Sequence, residues 1–283
     1  MKFTNRYNLP DALFSALSSD WYSQDGRISV TGLISPPRIA QLKKRHQDEI
    51  EEDVSERVWT LLGSAVHDVL ERAETDGIQE TRLSTDVMGW AVTGQADLWE
   101  EADGGTLSDY KVTSVWSVIK GVKPEWEAQL NCYAHLYRTC LGKPVSKLQI
   151  VAILKDHSRG KAKQGGDYPP IPIAVIPIKM WPDDEVRAYI SARVLLHQQA
   201  EEKSDTDLPP CTDEERWAKP TTWAVMKTGR KSAVRVLDTQ AEAEAMAAEK
   251  GAGHYVECRP GSYTRCEGYC PVSQWCNQYK GGE

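Results

Sequence analysis

Two carboxylates and one amine stand on neighbouring segments that have the pattern of strands. Asp109 and Lys111 are two residues apart, so on a strand both side chains project to the same face. Asp97 precedes them, and an Asp-Gly-Gly turn at 103–105 predicts that the two strands pair. Carboxylates bind hard divalent cations, which lower the pKa of bound water and offset phosphodiester charge. The pattern therefore predicts metal-dependent hydrolysis in which Lys111 positions the water or stabilises the pentacovalent phosphorus. A salt bridge on an exposed strand face remains the alternative.

A histidine on the preceding segment adds to this hypothesis. Apolar residues at the helical period predict a helix over 50–73, and His67 lies outside its apolar arc. His67 shares a one-turn stripe with Gly63 and Glu71. The small residue at position 63 leaves space for something to approach the helix. Taken alone, His67 would be an ordinary surface or cleft histidine.

The elements that must position these residues give a mixed α/β order of helix, three strands, helix, two strands and helix. After the first helix, the predicted bounds are strands 78–87, 90–100 and 106–113, helix 124–140, strands 148–154 and 171–178, and helix 183–203. Prolines in the last strand indicate a sheet edge. The first fifty residues are expected to be irregular. Gln129 and Tyr133 lie one turn apart on the second helix, where core packing or substrate contact is expected.

A boundary is predicted near residues 205–210, which gives a core at 1–205 with an N-terminal extension and a smaller domain at 206–283. The second region has few aliphatic residues but includes five of the seven cysteines. A metal would supply the stability that burial does not. Clustered cysteines in a cytosolic chain indicate metal ligands before disulfides.

Three of these cysteines, Cys266, Cys270 and Cys276, follow one another within eleven residues. A tetrahedral ion or a cubane cluster needs four thiolates. Cys211 is favoured as the fourth because it is distant and follows the boundary directly, and Cys258 is the alternative. The spacing does not separate a [4Fe–4S] cluster from Zn²⁺ or from free structural thiols.

The charge balance excludes a chain-wide basic coat for nucleic acid, because 34 basic and 41 acidic residues give a net charge of −7 over 283 residues. Phosphate contacts would depend on local patches and would be non-specific and salt-sensitive. Three patches are candidates: Arg38, Lys43, Lys44 and Arg45; Lys155, Arg159, Lys161 and Lys163; and Lys219, Lys227, Arg230, Lys231 and Arg235. Three tryptophans could stack bases but are expected to pack within the cysteine-rich region: Trp217, Trp223 and Trp275.

Four short motifs appear in order: Gly63-x-x-x-His67, Gly94-x-x-Asp97, Asp109-x-Lys111 and Gln129-x-x-x-Tyr133. Together they resemble the PD-(D/E)XK nuclease superfamily, specifically its RecB-like branch of CRISPR-adaptation nucleases and phage exonucleases. The resemblance covers about residues 50–200 and the cysteine tail.

The resemblance implies a PD-(D/E)XK core with a mixed central sheet flanked by helices. It also implies that His67, Asp97 and Asp109 ligate Mg²⁺ or Mn²⁺, with the Val112 carbonyl as an extra ligand. Lys111 would assist the attacking water, while Gln129 and Tyr133 would position the DNA backbone. An iron–sulfur cluster would fix the tail onto the core. One departure is that no cysteine precedes Cys132, although the distant ligand of such clusters often lies before the nuclease motifs.

The sequence therefore predicts a metal-dependent DNA nuclease, favouring an exonuclease in phage or bacterial DNA recombination, repair or processing. A catalytically inactive DNA-binding or assembly subunit with the same fold is the alternative. No Walker glycine–lysine motif is present, so a helicase or recombination partner would be a separate chain. No signal peptide or membrane-spanning run is found, so a cytoplasmic location in a bacterial host is expected.

Overall fold

The computed structural model of the protein describes residues 1–18 and 28–280. Within those residues the chain forms two compact units. The first comprises 1–40 and 47–202, and the second comprises 41–46 together with the chain from residue 203 onward. None of the described helices has the length and apolar character needed to cross a membrane.

Helices are found in both units. The α-helices, α1 to α11, are Asp11–Ser18, Val30–Ile34, Pro37–Arg45, Val58–Glu71, Val115–Ile119, Pro124–Leu141, Arg159–Ala162, Asp183–Glu201, Gln240–Lys250, Thr264–Gly268 and Asn277–Lys280. Short 3₁₀ turns occur at Val54–Arg57, Ala102–Gly104 and Ser273–Trp275.

Strands alternate with these helices. The strands, β1 to β13, are Lys2–Thr4, Ile28–Ser29, Glu51–Asp53, Ile78–Val87, Trp90–Glu100, Thr106–Thr113, Lys147–Leu154, Ile173–Ile178, Ala218–Lys219, Thr222–Lys227, Arg235–Leu237, His254–Arg259 and Ser262–Tyr263. Strands β4, β5 and β6 have the bounds that the sequence predicts.

The first unit is built on a mixed six-stranded sheet, which confirms the predicted fold class. Its order is β2-β5-β6-β7-β8, and β4 pairs with β5. The β2–β5 and β6–β7 pairs are parallel, whereas β4–β5, β5–β6 and β7–β8 are antiparallel. Helices α6 and α8 pack into the main hydrophobic core, and α4 packs against β6.

Helix α6 is the central element of this core. Pro124 occupies its first turn, where no intrahelical N–H bond is lost, and Gly142 ends it in the left-handed conformation at φ 61°. The fully buried Asn131 side chain donates to the Lys179 carbonyl at 2.9 Å and accepts from the Trp181 N–H at 2.8 Å. These bonds attach α6 to the segment between β8 and α8.

Two sequence expectations for the N-terminal region are wrong. The first fifty residues form β1, β2 and three helices instead of an irregular segment. Helix α4 begins at Val58, because residues 51–53 instead form β3 beside β1. Asp53 stabilises that arrangement by accepting hydrogen bonds from the Thr4 hydroxyl and the Arg6 N–H. Such long-range contacts are not visible in helical periodicity.

The second unit contains small sheets and short helices. Strand β10 lies between β11 and β12, and α9 packs against them. The two-residue strands β9 and β13 pair with each other. His46 forms an ion pair with Asp205 at 2.9 Å and stacks on Trp275 with ring centroids 4.6 Å apart. This explains why residues 41–46 belong to the second unit.

Candidate metal centre

His67, Glu80 and Asp97 form a compact group of candidate metal ligands. One ligand atom from each lies within 4.8 Å of the others. His67 Nδ1 is 3.3 Å from Asp97 Oδ1 and 3.6 Å from Glu80 Oε1. The His67 side chain is 28% exposed, whereas that of Asp97 is 8% exposed. The group is therefore shielded on one side and accessible on the other.

Glu80 is a candidate ligand that was not predicted from the sequence. The β4–β5 hairpin turns at Met88 and Gly89, which both have positive φ (52° and 80°), as a type I′ turn requires. The resulting register pairs Gln79 with Leu98 and Thr81 with Ala96, so Glu80, with a positive φ of 42°, lies between these pairs at the level of Asp97. Gln95 Nε2 holds the Glu80 carboxylate at 2.6 Å. The two-residue turn is the sequence signal that could have identified Glu80, because turn length fixes hairpin register.

Strands β5 and β6 separate at the site. Their ladder ends with Leu98 opposite Ser108, and two residues further along β6 the Tyr110 N–H donates to the Asp97 side chain at Oδ2, at 2.5 Å. The acceptor of the Tyr110 N–H is thus the Asp97 carboxylate instead of a backbone carbonyl of β5. This side-chain bond opens the sheet where Asp97 and Asp109 come together.

Asp109 and Lys111 form an ion pair on β6, with Lys111 Nζ 2.6 Å from Asp109 Oδ2. The Asp109 side chain is 2% exposed. In the described part of the chain, its Oδ2 has no hydrogen bond of good geometry. Asp109 lies outside the 4.8 Å group, so the structure differs from the expected ligand set by bringing in Glu80. Val112 lies further along β6, paired with Ile153.

Burial and neighbouring charges perturb two of these groups. Hydrogen bonds to Asp97 and Glu80 raise the pKa of the His67 imidazole to about 10. Burial raises the pKa of Asp109 to about 6, although the Lys111 ammonium opposes the shift. Without a metal, a protonated His67 therefore offsets one of the two carboxylate charges beside it. A divalent cation would offset both after displacing that proton.

Gln129 and Tyr133 lie beneath the site on α6, where both are buried. Gln129 Nε2 donates to the Tyr133 hydroxyl at 2.9 Å. Burial, together with the charge of Asp109, raises the pKa of the Tyr133 phenol above its usual range. A Cβ at Gly94 would lie 2.9 Å from the Tyr133 ring and 2.5 Å from Leu136, so only glycine permits this approach of α6 to β5.

In the second unit, Cys266, Cys270 and Cys276 lie close enough to interact electrostatically. Burial raises the pKa of the Cys270 thiol, and the charges of the other two thiols act in the same direction. No three of the described thiols lie within 4.8 Å of one another. The Cys211 N–H donates to Gln278 Oε1, and its carbonyl accepts from Gln278 Nε2, each at 2.8 Å. Gln278 lies two residues after the third cysteine of the run, whereas Cys258 is an exposed residue of β12.

The predicted basic patches differ in exposure. Arg38 is only 4% exposed and is therefore wrong as a surface contact. Arg45 is exposed but pairs with Asp205 at 2.7 Å. The remaining predicted patch residues are exposed: Lys43, Lys44, Lys155, Arg159, Lys161, Lys163, Lys219, Lys227, Arg230, Lys231 and Arg235.

Of the three tryptophans, Trp275 stacks on His46, and Trp217 packs near Tyr269 at 5.5 Å between ring centroids. Trp223 lies on β10 and is half-buried. The contacts of Trp217 and Trp275 are with protein side chains of the second unit.

Comparison with known proteins gives limited similarity. No family model and no curated protein matches the chain. Among solved structures, SSO0001 has 19% sequence identity and a TM-score of 0.43, covering 65% of this chain and 82% of its own. A candidate exonuclease from Eubacterium rectale has 15% identity and a TM-score of 0.31, covering 58% of this chain and 63% of its own. At these scores the function must be argued from the site itself.

Proposed function

We propose that the protein is a metal-dependent deoxyribonuclease of the PD-(D/E)XK superfamily, RecB-like branch. The observation that carries the proposal is the group of His67, Glu80 and Asp97 beside the Asp109–Lys111 ion pair. One imidazole nitrogen and carboxylate oxygens suit Mn²⁺ better than Mg²⁺, because imidazole favours the softer transition metal. When bound, the cation lowers the pKa of a coordinated water and offsets phosphodiester charge.

The chain's own residues complete the reaction. The Asp109 carboxylate is buried and its pKa is raised to about 6, so in exchange for its contact with Lys111 it is available as a further ligand or as an acceptor for the water proton. Lys111 keeps its ammonium beside that carboxylate, where it orients the attacking water or stabilises charge on phosphorus. The Val112 carbonyl is proposed as an additional ligand.

Gln129 and Tyr133 act as positioning residues in this proposal. Both side chains are buried and bonded to each other, so they support the site from α6. Because the Tyr133 hydroxyl accepts the Gln129 bond, its own O–H is the group that would donate to a phosphate oxygen of the DNA backbone. We also propose that the exposed Arg159, Lys161 and Lys163 of the first unit supply sequence-independent phosphate contacts.

The test uses end-labelled linear and closed circular DNA with Mn²⁺, Mg²⁺ or EDTA. We expect degradation of linear DNA with either cation, faster with Mn²⁺ at low concentration, and none in EDTA. Asp109→Asn and Lys111→Ala should abolish degradation while leaving the unfolding midpoint within a few degrees. Nicked circles would instead indicate an endonuclease.

A matched control is available on the same sheet. Lys147 and Asp103 form an exposed ion pair at 3.5 Å, so Lys147→Ala removes a lysine of similar type away from the site. This variant should retain full activity. If wild-type protein binds DNA but never cleaves it with either metal, the inactive DNA-binding subunit becomes the better description.

We further propose that Cys211, Cys266, Cys270 and Cys276 bind a [4Fe–4S] cluster. Cys211 is preferred to Cys258 as the fourth ligand because Gln278, two residues after Cys276, bonds to the Cys211 backbone, whereas Cys258 is exposed on β12. A cubane and a tetrahedral zinc ion both need four thiolates, and the resemblance to RecB-like nucleases that carry an iron–sulfur cluster favours the cubane.

Iron and zinc content together with the visible spectrum test the cluster. A brown protein with about four iron atoms per chain is expected. Cys211→Ser should lower the iron content, whereas the matched Cys258→Ser should not. A colourless protein with stoichiometric zinc would contradict the iron–sulfur assignment, and equal effects of both variants would contradict the choice of Cys211.

A further inference from the structure

Helix α4 carries an exposed tryptophan on the same stripe as the metal-centre histidine. Trp59, Gly63 and His67 follow one another at four-residue spacing, so their side chains lie along one side of the helix. Trp59 is 57% exposed. Eight residues of α-helix place it about 12 Å from His67 along the helix axis.

Between these two residues the surface of the stripe is open. A Cβ built at Gly63 would have no atom of the described chain within 4 Å beyond its own helix and neighbours. The glycine is thus not required by packing, and its helical position would favour alanine by about 0.5–1 kcal/mol. The open surface between the exposed Trp59 ring and His67 leaves room for an extended ligand to reach the metal centre.

A lysine lies over the face of this tryptophan. Lys155 Nζ is 3.4 Å from the centroid of the Trp59 ring. The Lys155 N–H donates to the Thr113 carbonyl at 3.0 Å, and Asp156 accepts the N–H of Val115 at 2.7 Å. These bonds fix the turn after β7 to the end of β6, the strand that carries Lys111. These bonds therefore fix Lys155, and the Trp59 ring that it covers, relative to the strand that carries Lys111.

We propose that Trp59 stacks on an unpaired base of single-stranded DNA, with Lys155 contacting the adjacent phosphate. The strand then passes over Gly63 to the metal centre. This inference rests on the proposed nuclease function and specifies its substrate as an unpaired strand or frayed end. Stacking on an indole is sequence-tolerant because every base has a π face, and a neighbouring cation adds phosphate affinity. A protein partner bound to the exposed apolar side of α4 is the competing occupant.

The first experiment measures binding without catalysis. Fluorescence anisotropy in EDTA follows a labelled oligo(dT) strand and a closed hairpin duplex. Trp59→Ala should weaken oligo(dT) binding about tenfold, and Trp59→Phe should recover most of it because an aromatic face remains. The matched control is Val69→Ala, which removes a comparably exposed apolar side chain of α4 that lies about 80° around the helix from Trp59, on the side away from His67. Val69→Ala should leave the affinity for oligo(dT) unchanged. Unaltered oligo(dT) binding by Trp59→Ala would overturn the proposal.

The second experiment separates this inference from the nuclease proposal. Gly63 is half-buried but a Cβ there meets open space, so Gly63→Leu fills the gap and should slow digestion of single-stranded DNA at least tenfold. Hydrolysis of bis(p-nitrophenyl) phosphate, which is too small to need the path, should be unchanged. Equal loss on both substrates would mean that position 63 acts on the metal centre and would overturn the path. Failure of the wild type on both substrates would instead overturn the nuclease function itself.

Discussion

Replacing Gly94 with alanine tests the contact that sets the position of the metal-bearing hairpin. The added Cβ would lie 2.5 Å from Leu136 Cδ1 and 2.9 Å from two atoms of the Tyr133 ring. Carbon atoms in contact prefer about 3.5–4.0 Å, so the overlap is about 1 Å. Both neighbours are buried, and Tyr133 is held by Gln129. Overpacking of this kind costs about 1–3 kcal/mol, which exceeds the gain of about 0.5–1 kcal/mol from removing a strand glycine.

The assay is urea unfolding with a paired variant as reference. Gly63→Ala meets no neighbouring atom within 4 Å and should stabilise the protein by about 0.5–1 kcal/mol through helix propensity. Gly94→Ala should destabilise it and also weaken Mn²⁺ binding, because Asp97 is three residues further along β5. Stabilisation by both variants would show that α6 and β5 can move apart freely and would refute the packing argument.

Three further results are expected. Glu80→Gln keeps the shape of the side chain and its contact with Gln95, but it should lower the Mn²⁺ affinity measured by calorimetry at least about tenfold, because even changes to residues that only support a metal ligand cost this much. The control variant Glu74→Gln, on an exposed loop, should leave the Mn²⁺ affinity unchanged. In EDTA, the raised pKa of His67 contributes stability that is complete below about pH 6.5 and is lost as the pH rises through about 10. The free energy of unfolding should therefore fall between these values by about 1 kcal/mol per pH unit, and a His67→Gln variant with the same slope would contradict the assignment. Asn131→Leu removes two hydrogen bonds made by a fully buried amide, so it should cost about 1–3 kcal/mol in urea unfolding, and an unchanged free energy of unfolding would contradict the role of these bonds in attaching α6.

Much of the first unit could be predicted from local patterns. Period-two alternation and strong turn residues determine β4, β5 and β6 to the residue, because each depends on contacts between near neighbours in the chain. The same locality explains why Asp97, Asp109 and Lys111 could be grouped: they belong to one hairpin. Helix α6 is bounded by Pro124 and Gly142, whose backbone preferences are properties of the residues themselves.

Features that depend on distant contacts could not be predicted in this way. The start of α4 is decided by Asp53, whose partners lie near residue 5. Arg38 has the charge of a phosphate contact, but the packing around it leaves it buried. The periodic apolar residues of α4 correctly predicted a helix, yet no residue of that helix is fully buried. Periodicity reports which side of a helix is apolar and does not report how much of it is covered.

By itself the sequence determined which residue types were available for chemistry, the strands that carry them and the direction in which each side chain alternates. Only the tertiary structure decided that Glu80 joins His67 and Asp97, and that Asp109 turns its oxygen to Lys111. The physical reason is register. A one-residue change in how β4 meets β5 would move Glu80 to the opposite face, and that choice is made by the whole sheet and the helices packed on it.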